Sequence, residues 1–131
     1  MRLPRFQRQP RESVADDHAR DRARMVAEQL EARGIRDPEL LRAFGTVERH
    51  AFVEGEQPYG DHAMPVGSGQ TISQPFVVAV MTAAASPVGG WKGASVLEVG
   101  TGSGYQAAIL AELGAQVTSI ERHPSLADDA R

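Results

Sequence analysis

The chain has 131 residues, of which 41% are apolar and 24% are charged, and it contains no cysteine. This length suits one ordinary domain rather than two, and the lack of cysteine excludes disulfides, thiolate metal sites and cysteine nucleophiles. The formal net charge is −3, and we expect no nucleic-acid groove in a body with this acidic balance.

The first 24 residues carry seven arginines against four acidic residues, and two prolines interrupt them. Because little apolar periodicity is visible there, we expect residues 1–24 to form a disordered basic tail. Because ordered structure is expected to begin near Met25, this residue is an alternative start to Met1. We see no secretory leader and no apolar stretch near the roughly 20 residues that cross a bilayer. We therefore expect a cytoplasmic protein without a membrane partner.

Two helices are predicted next, and together they form a small helical region ahead of the rest of the chain. The first is expected over about residues 21–33, because its apolar residues share one face and Gly34 can cap its end. The second is expected to begin with Asp37 as N-cap and Pro38 as its first residue, and to end at Gly45.

A long connection rich in glycine and proline follows over residues 54–74, and we expect no regular structure in it. Connections of this length are usually functional or disordered. A buried helix is predicted after it, from Pro75 to about Ala85, because apolar residues lie on adjoining faces. The residues expected to be buried there are Phe76, Val77, Val80, Met81 and Ala84.

A strand–helix–strand unit is predicted near the end of the chain. The apolar residues 95–99 indicate a strand, residues 104–113 a helix, and residues 116–121 a second strand. This order predicts parallel pairing with a right-handed crossover, and therefore an α/β fold.

The most informative segment joins the first of these strands to the helix, and it alternates glycine with other residues from Gly100 to Gly104. Glycine lets the backbone turn sharply and approach a ligand closely, and a helix N-terminus adds free N–H donors. Glu121 lies at the end of the next strand, 21 residues after Gly100. Nucleotide-binding units of this kind carry an acidic residue at that distance, where it binds ribose hydroxyls.

Two cofactors fit this glycine loop. From Gly102 to Ala107 the sequence matches the dinucleotide pattern G-x-G-x-x-A, which favours NAD. Glu98, however, lies two residues before Gly100, and a carboxylate there suits the cationic end of S-adenosylmethionine better than a pyrophosphate. We favour S-adenosylmethionine, with NAD and a tight turn that binds nothing as the alternatives.

The loop resembles motif I of the class I S-adenosylmethionine-dependent methyltransferases. The segment G-Q-T-I-S-Q-P at residues 69–75, with Arg-His-Ala-Phe-Val at residues 49–53, narrows the resemblance to the protein-L-isoaspartate O-methyltransferase family. The resemblance covers residues 25–131 and departs from the family at Glu48, where proline is usual. It implies that these residues are the incomplete N-terminal portion of a doubly wound, Rossmann-like methyltransferase sheet.

This resemblance implies methylation of the free α-carboxylate of L-isoaspartyl residues in damaged proteins, which starts their repair. Isoaspartyl proteins and peptides would be the partners, with no nucleic acid, and the complete protein would be a monomer. Ser73 would be the catalytic residue. The cofactor would contact Gln70, Thr71, Ile72, Ser73, Glu98, Gly100, Thr101, Gly102, Glu121 and Arg122. We expect no metal, because the four histidines lack ligand spacing.

A carboxylate substrate is already ionised at neutral pH, so Ser73 would donate a positioning hydrogen bond rather than act as a nucleophile. Its alternative role is an N-cap for the helix that begins at Pro75. Only two strands of the family's sheet precede Arg131, the last residue, so we expect weak or absent catalysis from this chain alone. A NAD-binding oxidoreductase fragment, or a non-catalytic remnant or interaction module, remains an alternative.

Overall fold

A nearly continuous helical stretch opens the part of the chain that the computed structural model describes, residues 14–131. Helix α1 spans Val14–Arg24, continues as a π-helical turn over Met25–Leu30, and closes with a 3-10 turn over Glu31–Arg33. Gly34 ends the stretch in the left-handed conformation, as predicted. The predicted disordered tail is wrong for residues 14–24, which form α1, and the rest of that prediction lies outside the described residues.

Helix α1 buries none of its residues, so its sequence shows no apolar periodicity that would predict a helix. Polar contacts hold it instead. The Arg22 side chain donates a 2.8 Å hydrogen bond from Nε to the carbonyl oxygen of Gly45. Its Nη1 donates a 3.2 Å hydrogen bond to the hydroxyl of Tyr59. The helix is therefore attached through its arginine, and no apolar stripe is needed to hold it.

Helix α2 spans Pro38–Thr46 and begins as the sequence predicts. Oδ1 of Asp37 accepts hydrogen bonds from the backbone N–H groups of Glu39 at 2.9 Å and Leu40 at 3.4 Å. Two of the free donors at the helix start are thereby satisfied. The helix ends one residue later than predicted, and a short 3-10 turn follows over Arg49–Ala51.

A β-hairpin interrupts the segment for which no regular structure was predicted. Strands β1, Met64–Gly67, and β2, Gln70–Ile72, pair in antiparallel fashion, with Met64 opposite Ile72. The turn places Ser68 in the left-handed region at φ +50°. The prediction is wrong here because strands of three and four residues are too short to show an alternating pattern, and β1 also contains proline and glycine.

The predicted strand–helix–strand unit is confirmed. Strands β3 and β4 pair in parallel and in continuous register, from Ser95 opposite Gln116 to Val99 opposite Ile120, with α4 as the crossover. The bounds are Pro75–Ala84 for α3, Ser95–Val99 for β3, Tyr105–Glu112 for α4, Gln116–Ile120 for β4 and Pro124–Asp129 for α5.

Helix α3 buries a different face from the one that the sequence predicts. Val78 and Thr82 are buried, whereas Val77, Val80 and Met81 are exposed, Met81 to 62%. Because this helix is apolar on nearly every side, its periodicity could not determine which side packs against the core. Within residues 14–131, no helix combines the length and the apolar character that a membrane span requires.

Candidate cofactor and active site

The glycine loop leaves the carboxyl end of β3 and is tied to the end of β4. The backbone N–H of Gly100 donates a 2.8 Å hydrogen bond to the carbonyl oxygen of Ile120. Gly100 and Gly102 have φ values of +92° and +55°, which glycine adopts without strain. A side chain built at either position would meet no atom of the described chain within 4 Å. The loop backbone therefore borders open space at both Gly100 and Gly102.

Glu121 joins the centre of the loop to the end of β4. Its Oε2 accepts a 2.9 Å hydrogen bond from the backbone N–H of Gly102, and its Oε1 accepts one of 3.0 Å from that of His123. These two backbone donors stabilise the ionised form and lower the pKa of Glu121. The carboxylate is therefore charged at neutral pH and lies directly against the loop.

A second carboxylate, Glu98, supports the beginning of the loop through a chain of hydroxyl groups. The parallel register places Ser119 opposite Glu98, and the Ser119 hydroxyl donates to Oε2 of Glu98. Oγ1 of Thr101 lies 2.5 Å from Oγ of Ser119. Burial raises the pKa of Glu98, the Ser119 hydrogen bond partly opposes this, and the charge of Glu121 raises it further.

A cavity of about 390 Å³ lies beside this loop. One wall comes from the end of β2 and the residues before α3, and the opposite wall comes from β3 and the glycine loop. It brings together seven of the predicted site residues: Thr71, Ile72, Ser73, Glu98, Gly100, Thr101 and Gly102. The hairpin is thus the element that carries the residues before α3 to the glycine loop, although they are distant in the sequence.

Three predicted site residues lie off the cavity wall. Glu121 reaches the site through its hydrogen bond to Gly102. Gln70 is exposed on the hairpin, where its Nε2 lies 3.5 Å from the carbonyl oxygen of Ser68. Arg122 is also exposed, and its Nε lies 3.3 Å from Nε2 of His123. The structure therefore does not bring Gln70 and Arg122 to the cavity.

Ser73 lies in the cavity wall just before α3, and the cap role considered for it is wrong. The N-cap position belongs to Gln74, and no side chain caps this helix. The carbonyl oxygen of Ser73 accepts a 2.8 Å hydrogen bond from Nη2 of Arg49. Arg49 thus fixes the backbone of Ser73, whereas Ser73 itself is exposed to solvent.

Sequence reasoning assigned no site role to three residues that shape this region. Ser119 could have been found, because parallel register places it opposite Glu98 once both strands are recognised. Trp91, which is buried, also lines the cavity, and nothing in its local sequence predicts this. Arg49 was singled out only as part of a motif, since no hydropathy pattern predicts a buried arginine.

Among residues 14–131, no group of three or more histidine and acidic side chains is arranged to hold a metal ion.

Comparison with known proteins agrees with the resemblance noted in the sequence. A family model described as Protein-L-isoaspartate(D-aspartate) O-methyltransferase (PCMT) matches residues 20–131. The protein-L-isoaspartate O-methyltransferase of Methanospirillum hungatei JF-1 is 52% identical over 114 residues, 85% of this chain and 51% of that protein. Its counterpart in Syntrophus aciditrophicus is 51% identical over 121 residues, 90% of this chain and 54% of that protein. The chain spans about half the length of the curated relatives it matches.

A solved structure extends the similarity to three dimensions. A Plasmodium falciparum protein assigned as a protein-L-isoaspartate O-methyltransferase, in complex with S-adenosyl-L-homocysteine, superimposes with a TM-score of 0.68 at 26% identity. The match covers 86% of this chain and 52% of that one. It confirms the predicted fold class, α/β with part of a Rossmann-like methyltransferase sheet.

Proposed function

The chain belongs to the protein-L-isoaspartate(D-aspartate) O-methyltransferase family, and on this premise we propose that the whole protein methylates the free α-carboxylate of L-isoaspartyl residues with S-adenosylmethionine. One observation carries the proposal. A single cavity is bordered both by the segment Thr71–Ser73 and by the glycine loop, so a carboxylate acceptor and a methyl donor can meet there. The expected substrates are isoaspartyl proteins and peptides, and we propose a cytoplasmic monomer.

The residues around the cavity suit S-adenosylmethionine. Open space beside Gly100 and Gly102 allows a ligand to approach the backbone closely. Glu121 is held in its ionised form, and each carboxylate oxygen keeps a further acceptor site for a ribose hydroxyl. Glu98 adds negative character near a cationic ligand. When bound, S-adenosylmethionine supplies an electrophilic methyl group on a positively charged sulfur.

In this proposal the glycine loop, with Thr101, holds the amino-acid end of the cofactor, and Glu121 holds its ribose. Thr71 and Ile72 lie beside the cofactor on the opposite wall. The structure gives less support to cofactor contacts from Gln70 and Arg122, which lie off the cavity wall.

The chemistry asks the protein for orientation rather than for proton transfer. A peptide carboxylic acid has a pKa of about 3.9, so it is ionised at neutral pH and needs no general base. Ser73 donates a hydrogen bond that orients the carboxylate. Buried Trp91 and Ile72 both line the cavity and limit the access of water, which strengthens electrostatic interactions inside it. Alignment of this kind accounts for much of the rate that such a site can provide.

Thermal melting of the purified protein with S-adenosylhomocysteine and, separately, with NADH tests the cofactor. A ligand at about 100 times its Kd stabilises the folded state by about 2.7 kcal/mol, which raises Tm by several degrees. We expect Tm to rise with S-adenosylhomocysteine and not with NADH. A rise with NADH and not with S-adenosylhomocysteine would favour the oxidoreductase alternative.

Methyl transfer to an isoaspartyl peptide then tests the substrate, with the same peptide carrying ordinary aspartate as the matched control. We expect transfer only to the isoaspartyl peptide. The assay uses the whole protein, and equal transfer to both peptides, or to neither, would contradict the proposed function.

A further inference from the structure

We propose that Arg49 is a positioning residue for Ser73. The proposal deepens the proposed function and rests on it for the role of the Ser73 side chain. Arg49 lies in the 3-10 turn Arg49–Ala51 and is fully buried, with 0% of its surface exposed. It does not line the cavity, so any effect on the reaction must pass through the residues that it holds.

The guanidinium of Arg49 joins two separate segments of backbone. Its Nε donates a 2.8 Å hydrogen bond to the carbonyl oxygen of Pro58, and its Nη2 donates one of the same length to that of Ser73. Because the guanidinium is rigid and planar, these two bonds fix the direction of the Ser73 carbonyl relative to Pro58. The backbone that carries the Ser73 side chain is therefore held in one orientation.

A third contact connects Arg49 to the cofactor side of the cavity. Its guanidinium carbon lies 4.9 Å from the centroid of the Tyr105 ring. Tyr105 is the first residue of α4, directly after the glycine loop, and is itself buried. A cation over an aromatic face at this distance is attracted by the ring. Arg49 thus lies between the Ser73 segment and the helix after the loop, and it sets their separation.

Arg49 is a buried cation without a carboxylate partner among the described residues. Burial lowers its pKa, with only a partial opposing effect from Tyr105. Its Nη1 and the Tyr105 hydroxyl form no hydrogen bond of good geometry, although the two side chains interact. Burial of a cation without a counter-charge costs desolvation free energy, which its hydrogen bonds to the Pro58 and Ser73 carbonyl oxygens and its contact with the Tyr105 ring offset. One of these contacts is made to the backbone of Ser73, so the same bonds that satisfy the cation also orient this segment.

Two variants and a matched control test the inference. Arg49→Lys keeps the charge but cannot bridge two carbonyl oxygens with a planar fork, and Arg49→Met removes the charge as well. Arg42→Met is the control, because Arg42 forms an exposed ion pair with Glu112 away from the cavity. Thermal melting establishes that each variant folds.

Hydrogen exchange, followed by mass spectrometry, measures how easily the segment around Ser73 opens, and it does not require an active enzyme. We expect the amides of residues 70–76 to exchange at least about tenfold faster in both Arg49 variants, as local opening becomes easier. The control should leave this segment unchanged. Unchanged exchange at residues 70–76 in the Arg49 variants would overturn the proposal, as would an Arg49→Lys variant that fails to fold.

A double-mutant cycle then separates positioning from a general structural effect. At saturating methyl donor, we expect Arg49→Lys to lower kcat/KM for the isoaspartyl peptide about tenfold and to lower S-adenosylhomocysteine affinity by a smaller factor, because Thr71 and Ile72 lie in the loosened segment. In a Ser73→Ala background the same change should have little further effect, since both variants disturb one interaction. Equal losses in both backgrounds would show that Arg49 does not act through Ser73.

The two proposals fail in different ways. If the unaltered protein methylates no isoaspartyl peptide, the proposed function fails, while the exchange measurement still decides whether Arg49 holds the Ser73 segment. If the unaltered protein is active and the exchange or the cycle gives the contrary result, only the inference about Arg49 fails.

Discussion

The carboxylate of Glu121 accepts a 2.9 Å hydrogen bond from the backbone N–H of Gly102, so the end of β4 holds the centre of the glycine loop. The same carboxylate accepts a hydrogen bond from the backbone of His123. Both bonds favour the ionised form and lower the pKa of Glu121. The residue singled out as the ribose ligand therefore also shapes the loop that would bind the rest of the cofactor.

Replacing Glu121 tests this double role. Glu121→Gln keeps one acceptor oxygen but loses the charge, and hydrogen bonds to charged groups are about twice as strong as neutral ones. We expect S-adenosylhomocysteine to bind about tenfold more weakly by calorimetry, and more weakly still to Glu121→Ala. Glu112→Gln, a substitution outside the cavity, is the control. Binding as tight as in the unaltered protein would contradict the assignment.

Ser73 should affect the reaction more strongly than the binding of the cofactor. Ser73→Ala removes the proposed hydrogen-bond donor to the substrate carboxylate, and the lost charge-assisted bond should lower kcat/KM about tenfold to hundredfold. Calorimetry should find a smaller loss of S-adenosylhomocysteine affinity, because Ser73 is also expected to contact the cofactor. Ser86→Ala removes the same group at an exposed position outside the cavity lining and should leave both quantities unaltered. Full activity of Ser73→Ala would remove this residue from the mechanism.

The cap at the start of α2 offers a test of stability. Asp37→Ala leaves the N–H groups of Glu39 and Leu40 without their side-chain acceptor. We expect the free energy of unfolding in urea to fall by about 1 kcal/mol. Asp37→Asn retains an acceptor oxygen and should lose much less. Equal losses in the two variants would mean that the hydrogen bonds are not the source of the stability.

Acidification should weaken the attachment of α1 through His50. The rings of His18 and His50 stack at 4.0 Å, and Nδ1 of His50 lies 2.7 Å from the Tyr59 hydroxyl. Burial and then the charge of His18 lower the pKa of His50, Glu48 opposes this, and Arg22 lowers it further.

The sign follows from proton binding. Below its ordinary pKa of 6.5, His50 takes up a proton more readily in the unfolded chain than in the folded one. Stability is therefore lost as the pH falls through 6.5 toward the lower folded value. We expect Tm to decrease between about pH 7.5 and about pH 5.5, and less so in His50→Gln. An identical pH dependence in His50→Gln would exclude His50 as the cause.

Short-range signals explain which parts of the fold could be predicted. The start of α2 depends on Asp37 and Pro38 alone, and the glycine loop between β3 and α4 depends on residues 100–104. Backbone geometry and hydrogen bonds within a few residues determine such features, so they can be read from a local pattern. The parallel pairing of β3 and β4 follows because a helix connects them.

Other features depend on partners that are distant in the sequence. Helix α1 is held by the contacts of Arg22 with Gly45 and Tyr59, which no local pattern of residues 14–24 reveals. The face that α3 buries depended on what packs against it, since most of its sides are apolar.

The candidate site divides in the same way. By itself the sequence determined the chemical groups, namely the glycine loop, Glu98, Glu121 and the segment that contains Ser73. Only the tertiary structure decided that the hairpin brings Ser73 to the loop, that Gln70 and Arg122 stay off the cavity wall, and that Arg49 lies beneath Ser73. The physical reason is that residue type specifies which interactions a side chain can make, whereas packing of the whole chain selects which partners come within reach.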